Sequence, residues 1–93
     1  MILAVDFDDT LQIGGQPNLL LINQLRAAQK RGDVLILWTC RDGRRLEEAV
    51  QWCAKQGLVF NYVNENCPQA VRMLGHNPRK VYADVYIDDK SMK

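Results

Sequence analysis

The sequence predicts one small α/β domain in which a parallel sheet of about four strands lies between layers of helices. Short apolar runs without polar alternation recur along the chain, which is typical of strands buried on both faces. Segments with helical spacing separate them, giving the strand–helix alternation of a parallel sheet. The 93 residues are 47% apolar, which suits one globular domain spanning residues 1–93.

The apolar runs locate the strands. The clearest are Ile2–Val5 and residues 34–38 (VLILW). Residues 58–62 give a weaker third strand, and residues 84–87 are the most plausible fourth. The first two runs contain no polar residues of the kind that a half-exposed strand shows, and the alternation of strands with helices predicts a sheet with helices on both faces.

The segments between the strands predict helices. Residues 19–31 carry apolar side chains at helical spacing, and Gly32 follows them as an expected C-terminal signal. Asp42 is a candidate N-cap for a second helix that closes near Gly57. A short third helix is predicted over Pro68–Leu74.

The composition of the chain limits the classes of function that we expect. Twelve basic and 11 acidic residues give a net charge of +1, so nothing in the charge balance demands nucleic acid or an anionic membrane. No apolar stretch approaches the roughly 20 residues needed to cross a bilayer, and no secretory signal is evident. The three cysteines, Cys40, Cys53 and Cys67, suggest free thiols in a reducing cytoplasm. We therefore predict a cytoplasmic protein that does not contact membranes.

Polar side chains follow every predicted strand. In parallel sheets, ligands bind beyond the carboxyl ends of the strands, near the point where the strand order reverses. The exits after the first and last strands are the most acidic. The exit residues are Asp6, Asp8 and Asp9; Thr39 and Arg41; Asn61 and Asn64; and Asp88 and Asp89.

Two acidic clusters at one sheet edge would repel each other, at a cost of several kcal/mol. A bound divalent cation removes that cost. The candidate ligands are all hard oxygens with no His or Cys among them, so Mg²⁺ is the predicted occupant. A magnesium site with open positions favours a substrate phosphate.

These residues resemble the motifs of a known family. DFDDT at residues 6–10 resembles the first motif, D-x-D-x-T/V, of the haloacid dehalogenase-type (HAD) phosphohydrolases. Thr39 resembles their second motif, and Asp88 with Asp89 their fourth. The three motifs occur in order, each at a strand exit. Together they span nearly the whole chain. The resemblance implies a Rossmann-like, HAD-like α/β/α core.

The resemblance implies a role for each motif residue. Asp6 would be the nucleophile that forms an aspartyl-phosphate, and Asp8 the general acid and base. Asp6, the backbone carbonyl of Asp8 and Asp88 would hold Mg²⁺, with Asp89 in support. Thr39 would hydrogen-bond a transferring phosphoryl oxygen, together with nearby backbone N–H groups.

The third motif of the family is a Lys or Arg that offsets phosphate charge. Lys80 is the candidate by sequence, but a continuous strand over 80–88 would place it about 26 Å from Asp88. Lys80 can therefore reach the site only if the residues before the fourth strand loop over the sheet edge. Arg41 and Lys90 are the alternatives, and Arg41 follows Thr39 by two residues, as in HAD-type polynucleotide 3′-phosphatases.

Family members usually carry a cap domain, and this chain has no room for one. The segment after Thr10 (LQIGGQ) can form at most a hairpin flap. Capless relatives often act on large or extended phosphorylated partners, so nucleic acid enters only as a substrate. Either the domain is minimal or a second copy completes the far edge of its sheet, which leaves a homo-oligomer open.

Two function classes compete. The first is a Mg²⁺-dependent phosphohydrolase acting on a phosphomonoester. The second is a non-catalytic or receiver-like domain that binds phosphate or accepts a phosphoryl group. Receivers carry the acceptor Asp after the third strand, where this chain has NYVNEN with no Asp, so the order of the parts favours the hydrolase.

Overall fold

The structure is a computed structural model, and it describes residues 1–90. These residues form six strands and three helices in the predicted alternation, with a small hairpin after the first strand. The elements are β1 Ile2–Val5, β2 Gln12–Ile13, β3 Gln16–Pro17, α1 Leu19–Lys30, β4 Val34–Leu37, α2 Gly43–Lys55, β5 Tyr62–Val63, α3 Pro68–Leu74 and β6 Val85–Ile87.

Four of the strands form one parallel sheet in the order β5-β4-β1-β6. The central strand β1 pairs through Leu3 with Leu35 of β4 and with Val85 of β6. β4 and β5 extend to one side of β1, and the chain then returns to place β6 on the other side. The strand order therefore reverses between β1 and β6, where such sheets bind ligands. The result is a small α/β fold compatible with a Rossmann-like core.

The main core lies on the sheet face that carries the odd-numbered residues of β1 and β4. Leu3, Val5, Leu35 and Leu37 pack there against α1 and α2. Each fully buried side chain of this kind stabilises the fold by about 1.5–3 kcal/mol. The two helices contribute Leu21, Ile22, Leu25, Ala28, Ala49 and Cys53.

The opposite face is covered by α3 and by the segment 75–84. Ala70, Val81 and Ala83 are buried outside the main core. Ile2 of β1 lines a groove together with Ala70 and Met73 of α3. Helices therefore flank the sheet on both faces, which gives the three layers that the sequence predicted.

The ends of the helices differ in how they are capped. Asn18 caps α1 by accepting a hydrogen bond from the Leu21 N–H at 3.4 Å. Gly75, with a φ of 77°, closes α3 in the left-handed region that favours glycine. Asp42 does occupy the N-cap of α2, but its side chain makes no capping hydrogen bond.

The third strand begins later than predicted: β5 is Tyr62–Val63 rather than 58–62. Leu58 is fully buried in the main core, so its apolar character reflects packing beneath the helices. The Asn61 side chain accepts a hydrogen bond from the Leu35 N–H at 2.9 Å, while the Asn61 N–H donates to the Leu35 carbonyl. This side chain takes the place of a strand carbonyl, so the ladder starts after it.

The segment after Thr10 forms the predicted flap. Its turn residues Gly14 and Gly15 have φ of 57° and 78°, the pair of positive values that a tight hairpin turn requires. Only this hairpin and its short connections separate β1 from α1. The segment is therefore a flap and not a cap domain.

The cysteines agree with the prediction of free thiols. Cys40 is exposed, while Cys53 and Cys67 are buried. Burial raises the pKa of the Cys53 thiol to about 12, so this group is not reactive at neutral pH. Within residues 1–90, no helix has the length and apolarity to cross a membrane.

Candidate functional site

The turn that follows β1 separates its acidic side chains from its apolar ones. Phe7 is buried, and its carbonyl accepts the N–H groups of the three residues from Thr10 onward at 3.0–3.3 Å. Asp9 lies in the left-handed region with a φ of 60°. Phe7 and Thr10 are therefore anchored in the protein, while Asp8 and Asp9 are exposed beyond the strand.

A cavity of about 260 Å³ lies where β1 and β6 end. We call it the Asp6 cavity. Asp6 leaves β1 with its N–H donating to the Ile87 carbonyl of β6 at 2.9 Å, which holds the two strand exits side by side. The cavity is lined by Ala4, Asp6, Trp38, Lys80, Tyr86, Ile87 and Asp88. Asp6 and Asp88, from opposite ends of the chain, thus meet at the predicted edge.

The charges around Asp6 are unbalanced. Burial raises the pKa of the Asp6 carboxyl above its usual value, and the Phe7 N–H, which donates to it at 2.7 Å, opposes that shift. The negative charges of Asp8, Asp88 and Asp89 raise the Asp6 pKa further. The Phe7 N–H only partly offsets these effects on ionised Asp6, and a cation near these carboxylates would offset them further.

Lys80 reaches the Asp6 cavity because residues 75–84 do not extend the strand. They form an irregular segment before β6 begins at Val85. The Lys80 ammonium lies 4.6 Å from the centre of the Tyr86 ring. The continuous strand over 80–88 is absent, and Lys80 lines the Asp6 cavity.

Asn66 fixes the segment that carries Lys80. Its side-chain amide donates to the Asn77 Oδ1 at 2.8 Å and to the Pro78 carbonyl at 2.9 Å. Its Oδ1 accepts the Tyr82 N–H at 2.6 Å. One side chain thus binds both ends of residues 77–82 and holds Lys80 in place between them.

Asp8 and Arg41 form an ion pair beside the cavity. Arg41 donates through Nε and Nη2 to the two carboxylate oxygens of Asp8, at 3.0 and 2.8 Å. The guanidinium also lies 4.7 Å from the centre of the Phe7 ring. This two-bond contact holds the pKa of Asp8 below its ordinary value and raises that of Arg41. Asp8 is therefore ionised in this arrangement.

Thr39 lies in the loop that follows β4. Its Oγ1 accepts the Arg41 N–H at 3.2 Å. The Asn64 side chain accepts the Thr39 N–H at 2.9 Å and donates to the Arg41 carbonyl at 3.5 Å. Asn64, with a φ of 52°, thus orders the loop from the exit of the neighbouring strand. Thr39 adjoins Trp38, a wall of the Asp6 cavity.

The site therefore has two parts. Asp6, Lys80 and Asp88 share one cavity. Asp8, Thr39 and Arg41 are connected to one another and, within residues 1–90, do not line that cavity.

The remaining candidates lie close by. Asp89 is exposed and acts on Asp6 through its charge, and the Lys90 N–H donates to the Asp88 carboxylate at 2.9 Å.

Four residues of the site had no assigned role in the sequence. Trp38 looked like the last residue of a strand, and Tyr86 like an ordinary strand residue. Asn64 was visible only as a polar residue after the third strand. Asn66 carried no signal, because its partners lie 11 to 16 positions further along the chain.

The oxygen donors at the Asp6 cavity fit a hard cation with few protein ligands. Asp6 and Asp88 offer carboxylates, and the Asp8 carbonyl belongs to the adjacent turn. No three His, Cys, Asp or Glu side chains within residues 1–90 form a metal-binding group. A cation here would therefore complete its coordination with main-chain oxygen, water and substrate, as Mg²⁺ often does.

Comparison with known proteins gives one informative match. The fold is similar to the solved structure of a conserved protein from Bacteroides thetaiotaomicron, with a TM-score of 0.83 and 35% sequence identity. The match covers 99% of this chain and 78% of that one. No protein-family model matches the chain, and no curated protein matches it.

Proposed function

Given that the chain belongs to the same family as the conserved protein from Bacteroides thetaiotaomicron, we propose that it is a Mg²⁺-dependent phosphohydrolase of the HAD type. It cleaves a phosphomonoester through an aspartyl-phosphate on Asp6. The observation that carries the proposal is the cavity shared by Asp6, Lys80 and Asp88 at the reversal of strand order. The family membership itself names no reaction.

In the first step, a carboxylate oxygen of Asp6 attacks phosphorus. The P–O bond to the substrate alcohol breaks, and Asp8 gives its proton to the departing oxygen. Lys80 offsets the charge of the phosphoryl oxygens from the side of β6. The Thr39 hydroxyl still has its proton to donate to a phosphoryl oxygen, because its contact with the Arg41 N–H uses only its acceptor.

In the second step, a water molecule attacks the phosphorus of the aspartyl-phosphate. Asp8 takes the proton from that water, the bond to Asp6 breaks, and inorganic phosphate leaves. Bound Mg²⁺, held by Asp6, the Asp8 carbonyl and Asp88, would neutralise the charge that gathers between the carboxylates and the phosphate.

Asp8 must leave Arg41 before it can carry a proton. The planar guanidinium of Arg41 fits a phosphate as well as a carboxylate. A phosphate bound at the Asp6 cavity would draw Arg41 away from Asp8. Released from Arg41 and placed beside the negative charge of the phosphate, Asp8 would have its pKa raised above the ordinary value, which lets it carry the proton and act as the acid.

A screen of phosphomonoesters with Mg²⁺ tests the proposal. It should include an aryl phosphate, sugar phosphates, nucleotides and 3′-phosphorylated oligonucleotides. We expect turnover that EDTA abolishes and Mg²⁺ restores, and that Asp6→Asn lowers by about 10³-fold or more. Asp9→Asn is the matched control, because Asp9 lies in the same turn and Asn also tolerates its backbone conformation. Equal activity of the two variants would refute the nucleophile assignment.

The Asp8–Arg41 ion pair supports a second candidate function. If Arg41 keeps Asp8 ionised and engaged, no base is free to activate water, and a phosphoryl group on Asp6 would persist. The protein would then be a receiver-like phosphoacceptor rather than a hydrolase. Incubation with acetyl phosphate separates the two: a long-lived acyl phosphate without release of inorganic phosphate favours the acceptor, and rapid release favours the hydrolase.

A further inference from the structure

A second cavity lies beside the Asp6 cavity and has no role in the proposed reaction. We call it the Trp38 cavity, and its volume is about 280 Å³. Trp38 forms a wall of both cavities. Besides Trp38, the walls include Val81, which is buried, and the polar residues Glu65, Asn77 and Arg79.

The position of the Trp38 cavity suits the group attached to a phosphate in the Asp6 cavity. Trp38 follows β4, and Glu65 lies just beyond the exit of β5, so both cavities open at the same sheet edge. The segment that Asn66 fixes contributes to both, with Lys80 at the Asp6 cavity and Arg79 at the Trp38 cavity. An ester bound through its phosphate beside Lys80 would extend past Trp38 into the second cavity.

The walls of the Trp38 cavity indicate the chemistry of its occupant. The indole ring of Trp38 and the side chain of Val81 offer apolar surface for one face of a ring. Glu65 offers hydrogen-bond acceptors, Arg79 offers donors, and the side-chain amide of Asn77 contains both kinds of group. Hydroxyl groups, which donate and accept, match such a set.

Charge and size narrow the choice further. Glu65 and Arg79 carry opposite charges, and within residues 1–90 neither makes an ion pair. Together they give the cavity no net charge, so it has no excess positive charge to hold a second phosphate. The volume lies just below the roughly 300–1,000 Å³ of pockets for drug-sized ligands, which suits a single ring.

We propose that the Trp38 cavity binds a neutral polyhydroxylated ring, so that the substrate is a sugar phosphate. The ring is either a free sugar or the ribose of a nucleotide. This inference rests on the proposed function, because it names the alcohol that the phosphohydrolase releases.

Kinetics with four esters test the inference. The probes are glucose 6-phosphate, ribose 5-phosphate, adenosine 5′-monophosphate and ethyl phosphate, each with Mg²⁺. We expect kcat/KM for the ring esters to exceed that for ethyl phosphate by about 100-fold or more. A preference for the nucleotide over ribose 5-phosphate would assign the ring to a nucleotide, and the reverse would assign it to a free sugar.

Two variants link the preference to the cavity. Glu65→Gln and Arg79→Met should each lower the ratio of kcat/KM for the ring esters to that for ethyl phosphate by about tenfold. Glu47→Gln and Arg72→Met are matched controls on exposed helix positions and should leave the ratio unchanged. Unaltered ratios in the cavity variants would overturn the inference.

A binding measurement separates this inference from the proposed function. In a metal-free NMR titration, glucose 6-phosphate should shift the indole N–H signal of Trp38, and ethyl phosphate should not. The variant Trp52→Phe assigns that signal, since the chain has two tryptophans. A shift without hydrolysis of any ester would refute the hydrolase and support the ring site. Hydrolysis of all four esters at similar rates, with no shift, would refute the ring site alone.

Discussion

Neighbouring strand exits in this protein differ in how their charged side chains are balanced. At the exits of β1 and β6, burial raises the pKa of Asp6, and the negative charges of Asp8, Asp88 and Asp89 raise it further. Between the turn after β1 and the exit of β4, Asp8 and Arg41 neutralise each other through two hydrogen bonds, which lower the pKa of Asp8. The comparison teaches that a carboxyl group whose pKa is raised by burial and by neighbouring charges is a better candidate to hold a cation than one already paired with an arginine.

The sharpest way to break this comparison is to remove a charge from the unbalanced side. Asp88→Asn should lower Mg²⁺-dependent hydrolysis by about 100-fold or more and raise the Mg²⁺ concentration needed for half-maximal rate. Asp89→Asn should have a smaller effect, because Asp89 does not line the Asp6 cavity in the described part of the chain. Steady-state rates across a Mg²⁺ series measure both. Equal losses in the two variants would contradict the ligand assignment.

A second pair of variants separates the effect of the Lys80 charge from the effect of Asn66, which positions Lys80. Lys80→Met should lower kcat by about 10- to 100-fold with little change in the free energy of unfolding, because the ammonium is exposed. Asn66→Ala should lower kcat and also destabilise the fold by about 1–3 kcal/mol, since it leaves the N–H of Tyr82 without its acceptor. Urea unfolding and steady-state kinetics check both expectations. A stable Asn66→Ala variant with full activity would remove Asn66 from its positioning role.

The metal-free protein offers a third test. Asp6→Asn removes a carboxylate whose neighbours repel it, so we expect the melting temperature to rise by on the order of a few degrees without Mg²⁺. Asp9→Asn removes the same charge outside the cavity and should raise it less. Saturating Mg²⁺ should stabilise the wild type more than Asp6→Asn. A lower melting temperature for metal-free Asp6→Asn would show that the Asp6 charge is compensated within the protein.

The smallest expected effect concerns the Asp8–Arg41 ion pair. The folded state lowers the pKa of Asp8, so the ion pair stabilises the protein above the ordinary Asp value of about 3.8. This contribution is lost as the pH falls through the lowered pKa. Arg41→Met should therefore destabilise the protein at pH 7 by no more than about 1 kcal/mol, since Asp8 is half exposed. Urea unfolding at pH 7 and near pH 3 should show the difference shrinking in acid.

The sequence predicted those parts of the fold that local patterns determine. The apolar runs located β1, β4 and β6 within a residue, and Pro68–Leu74 forms the helix expected there. The third strand was misplaced because the Asn61 side chain, rather than a main-chain carbonyl, accepts the Leu35 N–H. That hydrogen bond joins distant positions of the chain, so no local sequence pattern predicts it.

The candidate site divides in the same way. The motif residues follow strand ends, so the topology alone brought Asp6 and Asp88 together. The place of Lys80 depends on an irregular segment held by Asn66, and the choice among the basic residues stayed open without it. The Asp8–Arg41 ion pair joins two loops and became visible only in three dimensions.

Direct detection of the covalent intermediate tests the central claim that Asp6 attacks phosphorus. The wild-type protein, with Mg²⁺ and its best phosphomonoester, is quenched in acid within a single turnover and digested, and the peptides are weighed by mass spectrometry. The account predicts one added phosphoryl group on the peptide that contains Asp6, and none in the Asp6→Asn variant. Rapid turnover with the phosphoryl group on another residue, or on no residue at all, would contradict it.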